Sequence, residues 1–158
     1  MLTINSVSMA YGKSLMYNYD GGDKDDGLSI SLDRTYALNE EVTITINYHT
    51  NWINEIDPYY LSGNNGKGLR FSTPTFNDPI KPYEIWSIGE PESNRYWFPC
   101  KDEPGDLRTT ELITTLDKKF RIISNGKRVT KDNNDGTYTT HWKMDIPYAN
   151  HLTSFAIG

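Results

Sequence analysis

Val42-Thr43-Ile44-Thr45-Ile46-Asn47-Tyr48 alternates apolar and polar residues without a break. A period of two puts every second side chain on one face of a pleated strand, so this stretch reads as a half-buried antiparallel strand. Leu28, Ile30 and Leu32 repeat the pattern upstream, and so do Leu2 and Ile4 at the start of the chain. Val7 and Met9 are out of phase with Leu2 and Ile4, which places a bulge or bend near Asn5 and Ser6.

The C-terminal third carries the same signal. Strands are expected at Thr109 to Leu116, Arg121 to Ser124, Lys127 to Thr130, Thr137 to Met144 and Ser154 to Ile157. Asn125-Gly126 between two of these runs predicts a tight hairpin, because both turn positions tolerate positive φ. Asn134-Asp135-Gly136 marks a second turn, after which Tyr138, Trp142 and Met144 would share one face. No segment shows a sustained 3.6-residue apolar stripe. Many short strands with regular turns therefore predict an all-β fold, an antiparallel β-sandwich.

Two connecting segments break the strand pattern. Asp20-Gly21-Gly22-Asp23-Lys24-Asp25-Asp26-Gly27 combines turn formers with like charges and reads as an exposed loop. Its aspartates do not have the spacing of a regular calcium loop, and no bidentate Glu closes it. Thr50 to Gly68, followed by Pro74, Pro79 and Pro82, has the punctuation of a linker. Trp52, Ile56, Tyr59, Tyr60, Leu61, Leu69, Phe71, Phe76 and Ile80 make it too apolar for a flexible tether, so an ordered loop packed on the sheets is expected.

At 158 residues the chain has the size of one domain. Its formal net charge of −5, with both signs interspersed, offers no basic footprint for nucleic acid or an anionic membrane, and neither partner is expected. No apolar run reaches membrane-spanning length and no signal-peptide pattern opens the chain, so a soluble protein is expected, with cytoplasmic and cell-envelope locations both open. The lone Cys100 cannot form an internal disulfide, and its Trp97-Phe98-Pro99 context reads as that of a structural thiol.

Catalytic chemistry is hard to build from these residues. His49, His141 and His151 are the only histidines, and none stands in H-E-x-x-H or another helical ligand pair. His141 falls on the polar side of its strand with Thr139 and Lys143 and reads as a solvated residue. No G-x-S-x-G elbow is present.

The densest block is Trp86-Ser87-Ile88-Gly89-Glu90-Pro91-Glu92-Ser93-Asn94-Arg95-Tyr96-Trp97-Phe98-Pro99-Cys100-Lys101-Asp102-Glu103-Pro104. Bulky rings, three prolines and alternating charge make a rigid, non-repetitive segment. Within it, G-E-P-E-x-x-R-Y-W-F-P-C-x-D-x-P resembles the N-terminal domain signature of the aminopeptidase N and leukotriene hydrolase family of zinc metallopeptidases, the gluzincins. Ile46-Asn47-Tyr48, Leu69-Arg70-Phe71, Ile123-Ser124-Asn125-Gly126, Trp142, Pro147 and Leu152 to Gly158 resemble other strands of that domain.

This resemblance implies a saddle-shaped β-sandwich over residues 1–158, packed in the parent chain against a thermolysin-like domain that holds the zinc. This piece would itself hold none. It also implies a piece trimmed at both ends, its first strands missing before Leu2 and its last run stopping at Ala156-Ile157-Gly158. One functional residue carries over. The residue after Gly89, here Glu90, would reach the active site and bind the free α-amino group of a peptide's first residue. Glu92 takes no such role, while Arg95 and Asp102 are expected to hold the loop, with Trp97, Phe98 and Pro99 as core and turn. Ser87-Ile88 departs from the family's common Thr-Gln, which bears on side-chain selectivity.

Three functions follow as expectations. The first is the N-terminal domain of a zinc aminopeptidase, with peptide N-termini and its own catalytic domain as partners. The second is a non-catalytic interaction scaffold like the transcription-initiation factor subunit that resembles these enzymes. The third is a carbohydrate-binding β-sandwich, suggested by the many Trp and Tyr residues, which core and cross-strand packing explain more simply.

Overall fold

A computed structural model describes residues 2–21, 27–50, 68–90 and 92–158. The Asp23, Asp25 and Asp26 loop and the segment 51–67 lie outside the described residues. The strands are β1 (Leu2–Met9), β2 (Met16–Asn18), β3 (Ser29–Ser31), β4 (Ile44–Thr50), β5 (Gly68–Ser72), β6 (Glu84–Ile88), β7 (Leu107–Asp117), β8 (Ile122–Ser124), β9 (Lys127–Asp132), β10 (Thr137–Ala149) and β11 (Phe155–Ile157). Two single 3₁₀ turns, Asn94–Tyr96 and Asn150–Leu152, are the only helical elements among the described residues.

The fold is all-β and antiparallel, as the alternation predicts. β1 pairs with β4, and the register slips between Ile4 and Ser6, where the change of phase in the sequence placed a bulge. Val7, Met9 and Leu15 form a buried cluster here, with Ile4, Ile30, Ile44 and Ile46 packed against it. β2 and β3 pair as a short ribbon beside it.

The rest forms two sheets, ordered β7-β10-β9 and β5-β6-β11-β8. β7 is LRTTELITTLD, and its burial alternates strictly, so Leu112 and Leu116 turn inward while Glu111 and Ile113 face outward. Across the ladder Leu116 stands opposite Tyr138, Leu112 opposite Trp142 and Thr110 opposite Met144, which puts the three expected β10 residues on one face. Leu116, Tyr138 and Thr140 from this sheet and Ile122 from the other line one cleft between them. Ile122 is only 4% exposed.

The Asn125-Gly126 hairpin does not form. β8 and β9 lie in different sheets, so the dipeptide carries the chain from one layer to the other. A two-residue type I′ turn needs positive φ at both central positions. Gly126 has φ +95°, but Asn125 is not among the positive-φ residues. The Asn125 amide is engaged elsewhere: its Nδ2 donates to the Leu152 carbonyl at 3.0 Å, and its Oδ1 accepts from the Ser154 N–H at 2.8 Å. Asn134-Asp135-Gly136 does close a hairpin between β9 and β10, with φ +60° at Asn134 and +93° at Gly136.

Phe76 and Ile80 also depart from expectation, since both are almost fully exposed rather than packed on the sheets. Between the prolines the loop closes on itself through two backbone bonds linking Thr75 and Asp78. Phe76 sits at the apex of that closure, and Ile80 lies just beyond it.

Candidate functional site

β6 ends at Ile88, and Gly89 and Glu90 follow as the chain leaves the four-stranded sheet. Gly89 is buried and Glu90 exposed. A Cβ built on Gly89 would lie 2.2 Å from the His151 carbonyl oxygen and 2.9 Å from Asn94 Nδ2, so only glycine permits this approach. Beyond it the chain folds back at once. The Ser93 N–H donates to the Gly89 carbonyl at 2.9 Å, and Ser93 Oγ donates to the Glu90 carbonyl at 3.1 Å. Glu90 is thus fixed through its backbone, while among the described residues no hydrogen bond or ion pair takes up its carboxylate.

Behind this turn sits a buried polar network. Asn94 and Asn150, each 0% exposed, are the two largest fully buried side chains among the described residues. Asn94 Nδ2 donates to the Asn150 carbonyl at 2.6 Å and to the Thr153 carbonyl at 3.3 Å, while Asn94 Oδ1 accepts from the Trp97 indole at 2.7 Å. Asn150 Nδ2 donates to Asp102 Oδ1 and reaches Cys100 Sγ at 3.5 Å. Asn150 Oδ1 is buried without a partner. Turning that amide over would set its oxygen against the Asp102 carboxylate, so the N–H end fixes its orientation.

Arg95 and Asp102 hold the loop as expected. Asp102 Oδ2 accepts from the Arg95 backbone N–H at 3.0 Å and lies 3.4 Å from Arg95 Nε. The shorter backbone bond is the firmer of the two, because a hydrogen bond weakens quickly beyond about 3.2 Å. Glu92 is a second partner of the same guanidinium, at 2.9 Å from Arg95 Nη2. Trp97 packs at 4.3 Å against Phe98 and edge-on at 5.1 Å against Phe155 of β11, tying the segment to the sheet. Cys100 is half-buried, and burial pushes its thiol pKa up, which keeps it protonated and unreactive.

The three histidines are not brought together. His49 is on β4, His151 in the 3₁₀ turn before β11, and His141 on β10, where its Nε2 lies 3.0 Å from Glu111 Oε2. Lys143 Nζ occupies the other side of that carboxylate, at 3.0 Å from Oε1, an ammonium where a zinc site would need a ligand. No group of three metal-ligating side chains exists among the described residues.

The Arg95–Asp102 contact is legible in the sequence, whereas the roles of Asn94 and Asn150 are not. An asparagine in a loop reads as a turn former, and nothing local signals that these two bury each other 56 residues apart.

Fold and signature together define an all-β accessory domain of the kind that zinc metallopeptidases carry ahead of their catalytic domain. The chain belongs to the peptidase M1 N-terminal domain family, which it matches over residues 4–152. The M1 zinc metallopeptidase from Deinococcus radiodurans, in a structure with a Tyr-Ser-Ala substrate bound, superposes with TM-score 0.72 at 15% identity, over 99% of this chain and 32% of that one. Yeast LTA4 hydrolase gives TM-score 0.66 at 18% identity, over 99% of this chain and 22% of that one. At these identities the likeness is one of fold. In sequence, transcription initiation factor TFIID subunit 2 of Gallus gallus is 34% identical over 97 residues, covering 58% of this chain and 8% of that protein. The Danio rerio counterpart matches to the same extent.

Proposed function

We propose that residues 1–158 form the N-terminal β domain of a zinc aminopeptidase, and that Glu90 receives the free α-amino group of the peptide to be shortened. The observation that carries this reading is an exposed carboxylate on a turn whose backbone is fixed at Gly89 and Ser93. An α-amino group has a reference pKa near 8 and is mostly cationic at neutral pH, so a carboxylate held at one distance from the scissile bond selects it. Such an anchor measures one residue from the N-terminus, and exopeptidase specificity follows. Zinc, held by the catalytic domain of the same parent, would polarise the peptide carbonyl. This chain's own contribution is to bind and orient the amine.

The test is Glu90→Ala in the full-length protein, assayed on leucine p-nitroanilide. Loss of one charge-assisted hydrogen bond should raise KM about 10- to 100-fold. Unchanged kinetics would remove Glu90 from the site.

A second reading, that of a non-catalytic interaction scaffold, is favoured by the 34% identity to TFIID subunit 2. The parent sequence beyond residue 158 discriminates: H-E-x-x-H there supports the peptidase, and its absence supports the scaffold.

A further inference from the structure

We propose that Asn94 and Asn150 are positioning residues for Glu90, two buried amides that fasten its turn to the 3₁₀ turn before β11. This deepens the aminopeptidase reading and rests on it for its kinetic arm.

Glu90 follows a glycine whose backbone runs so close to the His151 carbonyl and the Asn94 amide that a Cβ there would meet both. The position of Glu90 is therefore set by whatever fixes those two neighbours. Asn94 joins both halves: its N–H end bridges the Asn150 and Thr153 carbonyls, and its oxygen accepts from Trp97. The Asn150 carbonyl also accepts the Thr153 N–H at 2.9 Å, which closes its own 3₁₀ turn. Asn150 then extends the bracing through its side chain to Asp102, which in turn receives the Arg95 backbone N–H.

No other residue type fits position 94. A buried amide offers two donors and an acceptor on one plane, and here all three are used: the Asn150 and Thr153 carbonyls take the N–H end inside the fold, and the half-buried Trp97 indole donates to the oxygen. Aspartate has the same shape and keeps the acceptor for Trp97. It loses both donors and sets a charge against two carbonyl oxygens. Leucine fills the space and satisfies none of them. The turn that carries Glu90 would then move relative to the sheet and take its carboxylate out of hydrogen-bond reach of the amine, which weakens substrate binding.

The full-length protein carrying Asn94→Asp tests this in two ways. Hydrogen–deuterium exchange should accelerate across 89–93 while β7 and β10 keep their protection. On leucine p-nitroanilide KM should rise about 10-fold with kcat changed less than about twofold, and in a Glu90→Ala background the same substitution should add less than about twofold to KM. A merely structural asparagine would multiply the Glu90→Ala defect instead, and that outcome, or unchanged exchange at 89–93, overturns the proposal. If Asn94→Asp does not fold, Trp97→Phe serves, since it keeps an aromatic ring beside Phe98 and Phe155 and removes the donor to Asn94 Oδ1. The same non-additivity is expected at smaller amplitude. Should Glu90→Ala itself leave the kinetics untouched, the anchor reading fails, and the exchange at 89–93 still decides whether Asn94 and Asn150 hold the turn.

Discussion

Glu40 and Asp102 show two ways of holding a carboxylate. Asp102 is buried and takes backbone and amide donors from Arg95 and Asn150. Glu40 stands in solvent and meets the Arg34 guanidinium in a two-pronged pairing, Nη1 to Oε2 at 3.1 Å and Nη2 to Oε1, with the Ala37 N–H donating to Oε2 at 3.0 Å. The Arg34 bond, then the Ala37 bond, lowers the Glu40 pKa to about 2. A carboxyl depressed in the folded state stabilises above its unfolded pKa of about 4.5 and loses that contribution as pH falls toward about 2. Glu40→Gln should therefore cost stability at pH 6 and cost none near pH 2. Urea unfolding of both proteins at the two pH values checks this, and a penalty independent of pH would mean that charge is not what Glu40 supplies. Solvent screening keeps the effect small. Glu90 differs from both, because among the described residues no partner takes its charge.

Glycines 126 and 136 separate local from long-range determinants at the level of elements. Both have positive φ, +95° and +93°, so alanine is strained at either by roughly 1 kcal/mol. At Gly136 a Cβ meets nothing within 4 Å, whereas at Gly126 it would lie 2.0 Å from the Lys143 carbonyl oxygen of β10. Gly126→Ala should lower stability well beyond Gly136→Ala, by a further 1–3 kcal/mol or so as β9 is pushed off its neighbour. Equal urea midpoints for the two variants would show that the contact yields without cost. The same contrast explains what the sequence could reveal. Alternation in β4, β7 and β10 is set by each strand's own two faces, so their inward residues were legible, as was the slip at Asn5 and Ser6. The Asn134 to Gly136 hairpin is equally local. Asn125-Gly126 looks alike as a dipeptide, yet its path is decided by bonds from Asn125 to Leu152 and Ser154, far along the chain. The Arg95–Asp102 contact was legible because both residues lie in one contiguous signature. Asn94 and Asn150 were not, since what makes them matter is each other.

Seen as a whole molecule, the chain folds as an accessory domain whose nitrogen and sulfur ligands are scattered. His49, His141, His151 and Cys100 are its complete set of imidazole and thiol side chains, and they occupy β4, β10, the turn before β11 and the loop after Trp97. His141 is closest to a site, but its neighbouring carboxylate is already shared with Lys143, whose ammonium repels a divalent cation. A ligand that binds only the folded state raises the melting temperature by mass action, about 2.7 kcal/mol at a hundredfold excess over Kd. Zinc added to residues 1–158 should therefore leave the melting temperature unchanged and produce no hydrolysis of leucine p-nitroanilide. A zinc-dependent rise in melting temperature would mean that the scattered ligands can converge.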